Sequence, residues 1–288
     1  MQEQLIFDMT STESTLQSLE GLLGLNERKI VQYIINKKGE LDTEDFMDTF
    51  SVKENNLLNK ELFIVSLHVT TNNDNCASIK KFGLLDLQKS LTLDTPLKRH
   101  LKSLGIHIDL TNKKIFYNDN IIDIGKKYSG INFGSEDEYL NSVIHKLFID
   151  FQINAFFYSK NVLNYDGGVK NRPEFLMNLS NLLKDTRISK KWEDNTKCYV
   201  IKFFAPLSSY TDYSFSDFIY DDLDEKEVIS EKIKSVIQKS LWRIHDDIFH
   251  NGPDECYSYI KPHLVIPNSQ IMKIYTEEEY VEEYNIKE

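Results

Sequence analysis

The spacing of apolar positions along the chain changes several times, and each change marks an element. Residues 1 to about 50 read as helical. In "TSTEST" hydroxyls precede an acidic residue, an N-cap arrangement. "LQSLEGLLGLNERKIVQYIINKK" then repeats apolar residues near helical spacing across two glycines, and "LDTEDFMDTF" suits one more short helix. Residues 1–58 are therefore expected to form a helical N-terminal extension, and 59–288 the main domain. From Leu62 the pattern shifts to a buried strand, "LFIVSLHVT". "NCASIKKFGLLDLQKSL" reads as a helix interrupted at Gly83, and "PLKRHLKSLG" as a helix stopping at Gly105. "IHIDLTNKKIFYNDNIIDI" alternates apolar and polar residues around two turns, which predicts a hairpin or meander.

Further on, "SEDEYLNSVIHKLFIDFQ" is an amphipathic helix with Ser135 as its expected cap. "INAFFYS" and "TKCYVIKFFAPL" read as strands. "EFLMNLSNLLKD" and "KEVISEKIKSVIQKSLWRIHDDIF" read as helices. "SSYTDYSFSDFIYDDLDE" is an aromatic, polar loop. "ECYSYIKPHLVIPNSQIMKIYTEEEY" predicts two strands split by "KPH" before an acidic tail. Helices and strands follow in mixed order without a repeat, so the expected class is α+β.

Composition narrows the function classes. Hydrophobic residues make up 41% of the 288 positions, enough for a packed core. A formal net charge of −11 argues against broad, non-specific nucleic-acid binding, though not against one target read by one pocket. Cys76, Cys198 and Cys256 lie far apart with no CxxC pair, against a disulfide framework or structural zinc. No apolar run approaches the roughly 20 residues of a membrane helix, and the N-terminus lacks a basic leader. A reducing cytoplasm is the expected location. Phosphate loops of the GxxxxGK[ST] type, GxGxxG turns and GxSxG elbows are missing, which disfavours nucleotide triphosphatases, Rossmann dehydrogenases and α/β-hydrolases. In "RIHDDIFH", His245 and His250 are five apart and should splay on a helix, so no metal site is expected. The acidic runs "DDLDEKE" and "TEEEYVEEYNIKE" read as solvated faces or as docking surfaces for a basic partner.

Three features remain: a strand ending in "HVTT" followed by "SIKKFGLL", an aromatic strand "NAFFYS" about 90 residues later, and a C-terminal strand starting at Glu255 and followed by "LVIPNSQI". In this order they resemble the ADP-ribosyltransferase superfamily, in its His-Tyr-Glu branch, with a flavour of bacterial intracellular toxins and phage-defence transferases. The resemblance spans roughly residues 60 to 276. It implies split β-sheets around an NAD cleft. It also implies catalytic roles for His68, Tyr158 and Glu255, and NAD contacts from His68, Thr70, Gly83, Phe157, Tyr158, Tyr165 and Arg172. Phe157 and Tyr165 rival Tyr158 for the ring that stacks on nicotinamide. Glu255 stands farther from "VIP" than the family pattern, so Glu174 and Asp254 are reserve carboxylates. Asn268 replaces the second proline of the family's V-P-P element.

The chemistry suits these residue types. Breaking the nicotinamide–ribose bond develops an oxocarbenium-like charge, which a carboxylate stabilises. Imidazole and hydroxyl groups bond ribose and carboxamide, and aromatic faces hold a flat ring. The resemblance implies a macromolecular target, RNA slightly ahead of protein, and an antitoxin or regulatory protein as partner. "SSYTDYSFSDFIY" could stack exposed bases of an RNA. The alternatives are a non-catalytic binding module on the same fold and an NAD glycohydrolase.

Overall fold

In the computed structural model, which describes residues 3–126, 128–135, 137–165, 167–216 and 220–286, the chain opens with a strand, β1 (Glu3–Phe7). Helices α1 (Thr12–Leu23), α2 (Glu27–Lys37), α3 (Thr43–Thr49) and α4 (Glu54–Leu57) follow, then the long strand β2 (Lys60–Asn72). Next come α5 (Ala77–Phe82), α6 (Leu87–Thr92), α7 (Pro96–Ser103), the short strands β3 (Ile106–Asp109), β4 (Lys114–Tyr117) and β5 (Asn120–Asp123), and α8 (Glu138–Phe148). Strand β6 (Asn154–Tyr158), helices α9 (Glu174–Leu183) and α10 (Arg187–Glu193), and strand β7 (Lys197–Pro206) complete the middle. The last third holds α11 (Glu225–Phe249), β8 (Cys256–Tyr259), β9 (Ile271–Thr276) and α12 (Glu277–Glu283). The class is α+β, as the mixed order predicts. Among the described residues no helix is long and apolar enough to cross a membrane.

The main sheet runs β8-β6-β2-β7-β9, with antiparallel neighbours along this path. β2 is its spine and pairs with β7 from Phe63–Pro206 to Asn72–Lys197. β1 pairs in parallel with the first half of β2, Glu3 opposite Lys60 through Phe7 opposite Ile64. The expectation of a purely helical N-terminal segment is thus corrected: five of its residues are a sheet strand. Strands β3, β4 and β5 form the separate antiparallel meander.

The described residues form three apolar cores, of which two are large. One joins Phe7, Leu19, Ile34 and Phe46 of the N-terminal segment to Ile64 and Ile201 of the sheet and to Val236, Ile237 and Leu241 of α11. Residues 1–58 and the main domain therefore share one core. The second core is a helical lobe, α6 to α10 on the meander, built on Leu97, Ile115, Val143, Leu176 and Trp192. Helix ends follow local chemistry. Ser11 caps α1 in a box with Ser14, and Asp224 caps α11 in a box with Glu227, each satisfying backbone N–H groups that a helix leaves open. At α8 the expected cap is corrected: Asp137, not Ser135, precedes the first turn, without a side-chain cap bond. The acidic tail keeps its glutamates solvated, with Glu277, Glu278, Glu279, Glu282 and Glu283 exposed. It folds as α12, which buries Tyr280.

Candidate functional site

β2 and β6 pair at one register position only, Leu67 opposite Phe156. One residue on, the His68 imidazole stands in for the ladder: its Nδ1 lies 2.7 Å from the carbonyl oxygen of Asn154. A carbonyl only accepts, so Nδ1 carries the proton and Nε2 keeps its lone pair. Burial pushes the His68 pKa below its ordinary value, with the Asn154 hydrogen bond opposing, so the ring is neutral. Beyond this point lies a cleft of about 540 Å³, lined by residues 68–72 of β2 and by residues 152–156 that lead into and form β6. That size is ordinary for a small-molecule site. The helical lobe supplies the opposite wall through Leu97, Phe175 and Trp192. Trp192 is fixed there by its Nε1–H, which donates to Thr71 Oγ1 at 2.7 Å.

Gly83 lines the cleft for a backbone reason. It ends α5 with φ +82° and ψ −173°, a conformation open essentially to glycine. A Cβ there would stand 2.2 Å from the carbonyl oxygen of Ile266. The next residue, Leu84, exchanges two backbone hydrogen bonds with Ile266, at 2.9 and 3.1 Å. The "FGLL" and "VIP" segments, which the sequence separates by some 180 positions, are thus clamped together.

At the mouth, Tyr165, Tyr257 and Tyr259 face the cleft with Phe156. Tyr165 meets Phe156 and Tyr257 edge-on at ring-centroid distances of 5.8 and 6.1 Å. Its hydroxyl pKa is raised by burial and by the nearby Glu174 carboxylate. Lys146, Asp150 and Glu174 form a polar triad on the wall. Lys146 Nζ pairs with Asp150 and, at 2.6 Å, with Glu174. The other Asp150 oxygen accepts from Gln152 and Asn154, each at 3.0 Å. Burial pulls the Lys146 pKa down, but the two carboxylates outweigh it and hold the ammonium above its ordinary value.

Of the residues expected from sequence, His68, Thr70, Gly83, Tyr165 and the reserve Glu174 meet on this cleft. Phe157, Tyr158 and Arg172 do not line it, and those expectations are corrected. A register shift between Phe156 and Tyr158 leaves Phe156 on the cleft side and turns the next two residues away. Phe157 packs against Tyr210 and Phe215 at 5.3 and 5.7 Å. Tyr158 is buried under α11, where its hydroxyl donates to the Lys239 carbonyl at 3.2 Å and the Arg243 guanidinium lies 6.0 Å from its ring. Arg172 is held at 3.0 Å by Glu193. Phe156 and Tyr257 are the aromatics missed from sequence, because a bulge leaves no mark in the apolar pattern.

Glu255 and Asp254 line a second cavity, together with Tyr158, Asp246 and Cys256. Glu255, the expected catalytic carboxylate, is not among the residues that line the first cleft. It precedes β8 by one residue and shares the alternation of Tyr257 and Tyr259. The Tyr257 hydroxyl donates to its carboxylate. This bond is the main cause of the raised Tyr257 pKa, and the Glu255 charge also acts on Tyr165. The carboxylate therefore lines the second cavity and is tied to the first cleft through Tyr257.

The expectation that His245 and His250 splay is overturned. Helix α11 ends at Phe249, and His250 leaves it in extended conformation, φ −119° and ψ 174°. Its ring folds back to 5.2 Å from the His245 ring, and the Nδ1 atoms of both lie 2.9 and 3.0 Å from one oxygen of Asp246. His245 is only 6% exposed, whereas residues 247–250 are exposed, so the end of the helix faces solvent. Of the stretches singled out by sequence, residues 217–219 of the aromatic loop and Asp166 of "YDGG" lie outside the described residues. Comparison with protein-family models, with curated proteins and with solved structures returns no match.

Proposed function

We propose that the cleft binds NAD and that the protein is an ADP-ribosyltransferase acting on an intracellular macromolecule. The carrying observation is the parting of β2 and β6, with neutral His68 at its apex and Glu255 bonded to Tyr257 of the cleft wall. The strands that carry the "His", "aromatic" and "Glu" motifs lie side by side in the order β2, β6, β8, which supports this reading. The cleft fits the nicotinamide riboside end best. Phe156 and the three tyrosines offer aromatic faces, and His68 Nε2 offers an acceptor to a ribose hydroxyl. The pyrophosphate falls to the Ser78 and Ser90 hydroxyls and to backbone N–H groups, because Lys146 is already matched by two carboxylates.

In the proposed reaction the bond between ribose C1′ and the nicotinamide nitrogen breaks, and its electron pair leaves with neutral nicotinamide. Glu255 stabilises the oxocarbenium charge from its side of the wall. The acceptor enters from the second cavity and bonds to C1′, and Glu255 takes the proton it gives up. The proposal places this chemistry in the cytoplasm, with an antitoxin or regulatory protein as a natural partner for a self-harming activity. RNA stays slightly ahead of protein as the target.

The test is label transfer from adenylate-labelled NAD in cell extract, split by nuclease and protease treatment. Wild type should label one class of macromolecule. Glu255→Gln should lose about 10²- to 10³-fold of that rate, and His68→Ala should lose most of it. Glu174→Gln serves as the comparison, and a larger loss there would move the catalytic role to the wall triad. No label with NAD intact would refute the enzyme reading and leave a binding module. No label with NAD consumed would make water the acceptor.

A further inference from the structure

We infer that His245, Asp246 and His250 form a binding site for a divalent transition-metal ion of the zinc class. Two imidazole nitrogens and a carboxylate oxygen converge within 4.8 Å of one another. The Nδ1 atoms of His245 and His250 stand 2.9 and 3.0 Å from the same Asp246 oxygen. Atoms so spaced can both lie about 2.1 Å from one ion, at an angle of roughly 90°. Two imidazoles and one carboxylate are a donor set for zinc-class ions and leave coordination positions open. Asp246 lines the second cavity, so those positions face solvent or a ligand there.

The surroundings favour a cation. The group closes the C-terminus of a 25-residue helix, whose last carbonyls carry partial negative charge. The neighbouring Arg243 is paired with Asp247 at 2.9 Å. Asp254 and Glu255 add negative charge to the same cavity. The His245 ring is gripped by Trp242 at 5.2 Å and Phe249 at 4.9 Å, so one ligand is already oriented. His250 is the opposite case, exposed and past the helix end. An ion joining the two would tie the helix to the segment that leads, through Gly252, to Asp254 and Glu255.

The experiment is calorimetric titration of Zn²⁺ into the full chain after stripping with a chelator. Co²⁺ titration follows tryptophan fluorescence alongside, since Trp242 lies beside His245. Wild type should bind one equivalent, Co²⁺ should quench saturably, and Zn²⁺ in excess should relieve the quenching. His250→Ala and Asp246→Asn should each weaken binding at least about tenfold. His250 is 63% exposed, so its variant tests the ion without disturbing packing. Lack of saturable binding by wild type would overturn the inference, as would binding of undiminished affinity in both variants. Neither readout depends on transferase activity.

Discussion

An alanine methyl at position 83 would stand 2.2 Å from the Ile266 carbonyl oxygen, well inside any real contact. Two costs follow from Gly83→Ala. The backbone is held at φ +82° and ψ −173°, and strain of this kind costs about 1–3 kcal/mol for a residue with a side chain. The methyl also forces the Ile266 segment away and breaks the two hydrogen bonds it shares with Leu84, each contributing about 0.5–1.5 kcal/mol. Together the loss is roughly 4 kcal/mol, a large part of a typical domain's stability. Gly24→Ala separates the two costs. Gly24 also has positive φ, +68°, but an added Cβ meets nothing within 4 Å, so only strain applies. Urea unfolding of both variants beside wild type is the assay. Equal losses at the two positions, or a loss under about 1 kcal/mol at Gly83, would refute the clamp between "FGLL" and "VIP".

Further outcomes are expected. Tyr210→Phe should cost about 1–3 kcal/mol in urea unfolding, because the Tyr210 hydroxyl donates to the Ile64 carbonyl at 2.7 Å and shares a buried chain with Ser66 and Ser258. The His68 pKa is lowered in the fold, so below roughly pH 6.5 the unfolded chain binds more protons and stability falls as pH falls. His100 shares that direction, also through burial. Thermal melts across this range should therefore show a shallower decline for His68→Gln than for wild type, and an unchanged slope would count against the half-buried neutral ring. Trp192 and Trp242 are the chain's two tryptophans, and Trp192 lines the cleft. In Trp242→Phe protein, NAD should change the remaining fluorescence saturably, and a silent titration would argue that nothing enters beside Thr71.

The long helix α11 and the meander were legible because each rests on local periodicity or turn chemistry. So was the junction at Gly83, although its reason was not: the Ile266 carbonyl that excludes a side chain comes from the far end of the chain. β1 escaped because five residues, "EQLIF", carry too little alternation, and a parallel partner cannot be read from its own segment. The aromatic set went astray at one bulge. A shift between Phe156 and Tyr158 is invisible in composition and decides which rings meet the cleft. Helical arithmetic separated His245 from His250 and failed because the helix stops one residue short of His250.

The shared core of the N-terminal segment also sets a timetable. Thr43 bonds Gln238, 195 positions later, at 2.9 Å, and the apolar faces of α1 to α3 are not fully covered until α11 packs on them. At a synthesis rate of about 5–20 residues per second, that separation is a wait of roughly ten to forty seconds on the ribosome. During it the first helices carry uncovered apolar surface, a substrate for chaperones rather than a folded unit. Tyr257 and Tyr259 of the cleft emerge later still, so the cleft is completed last. A nascent chain therefore completes its cleft only when these two tyrosines have emerged.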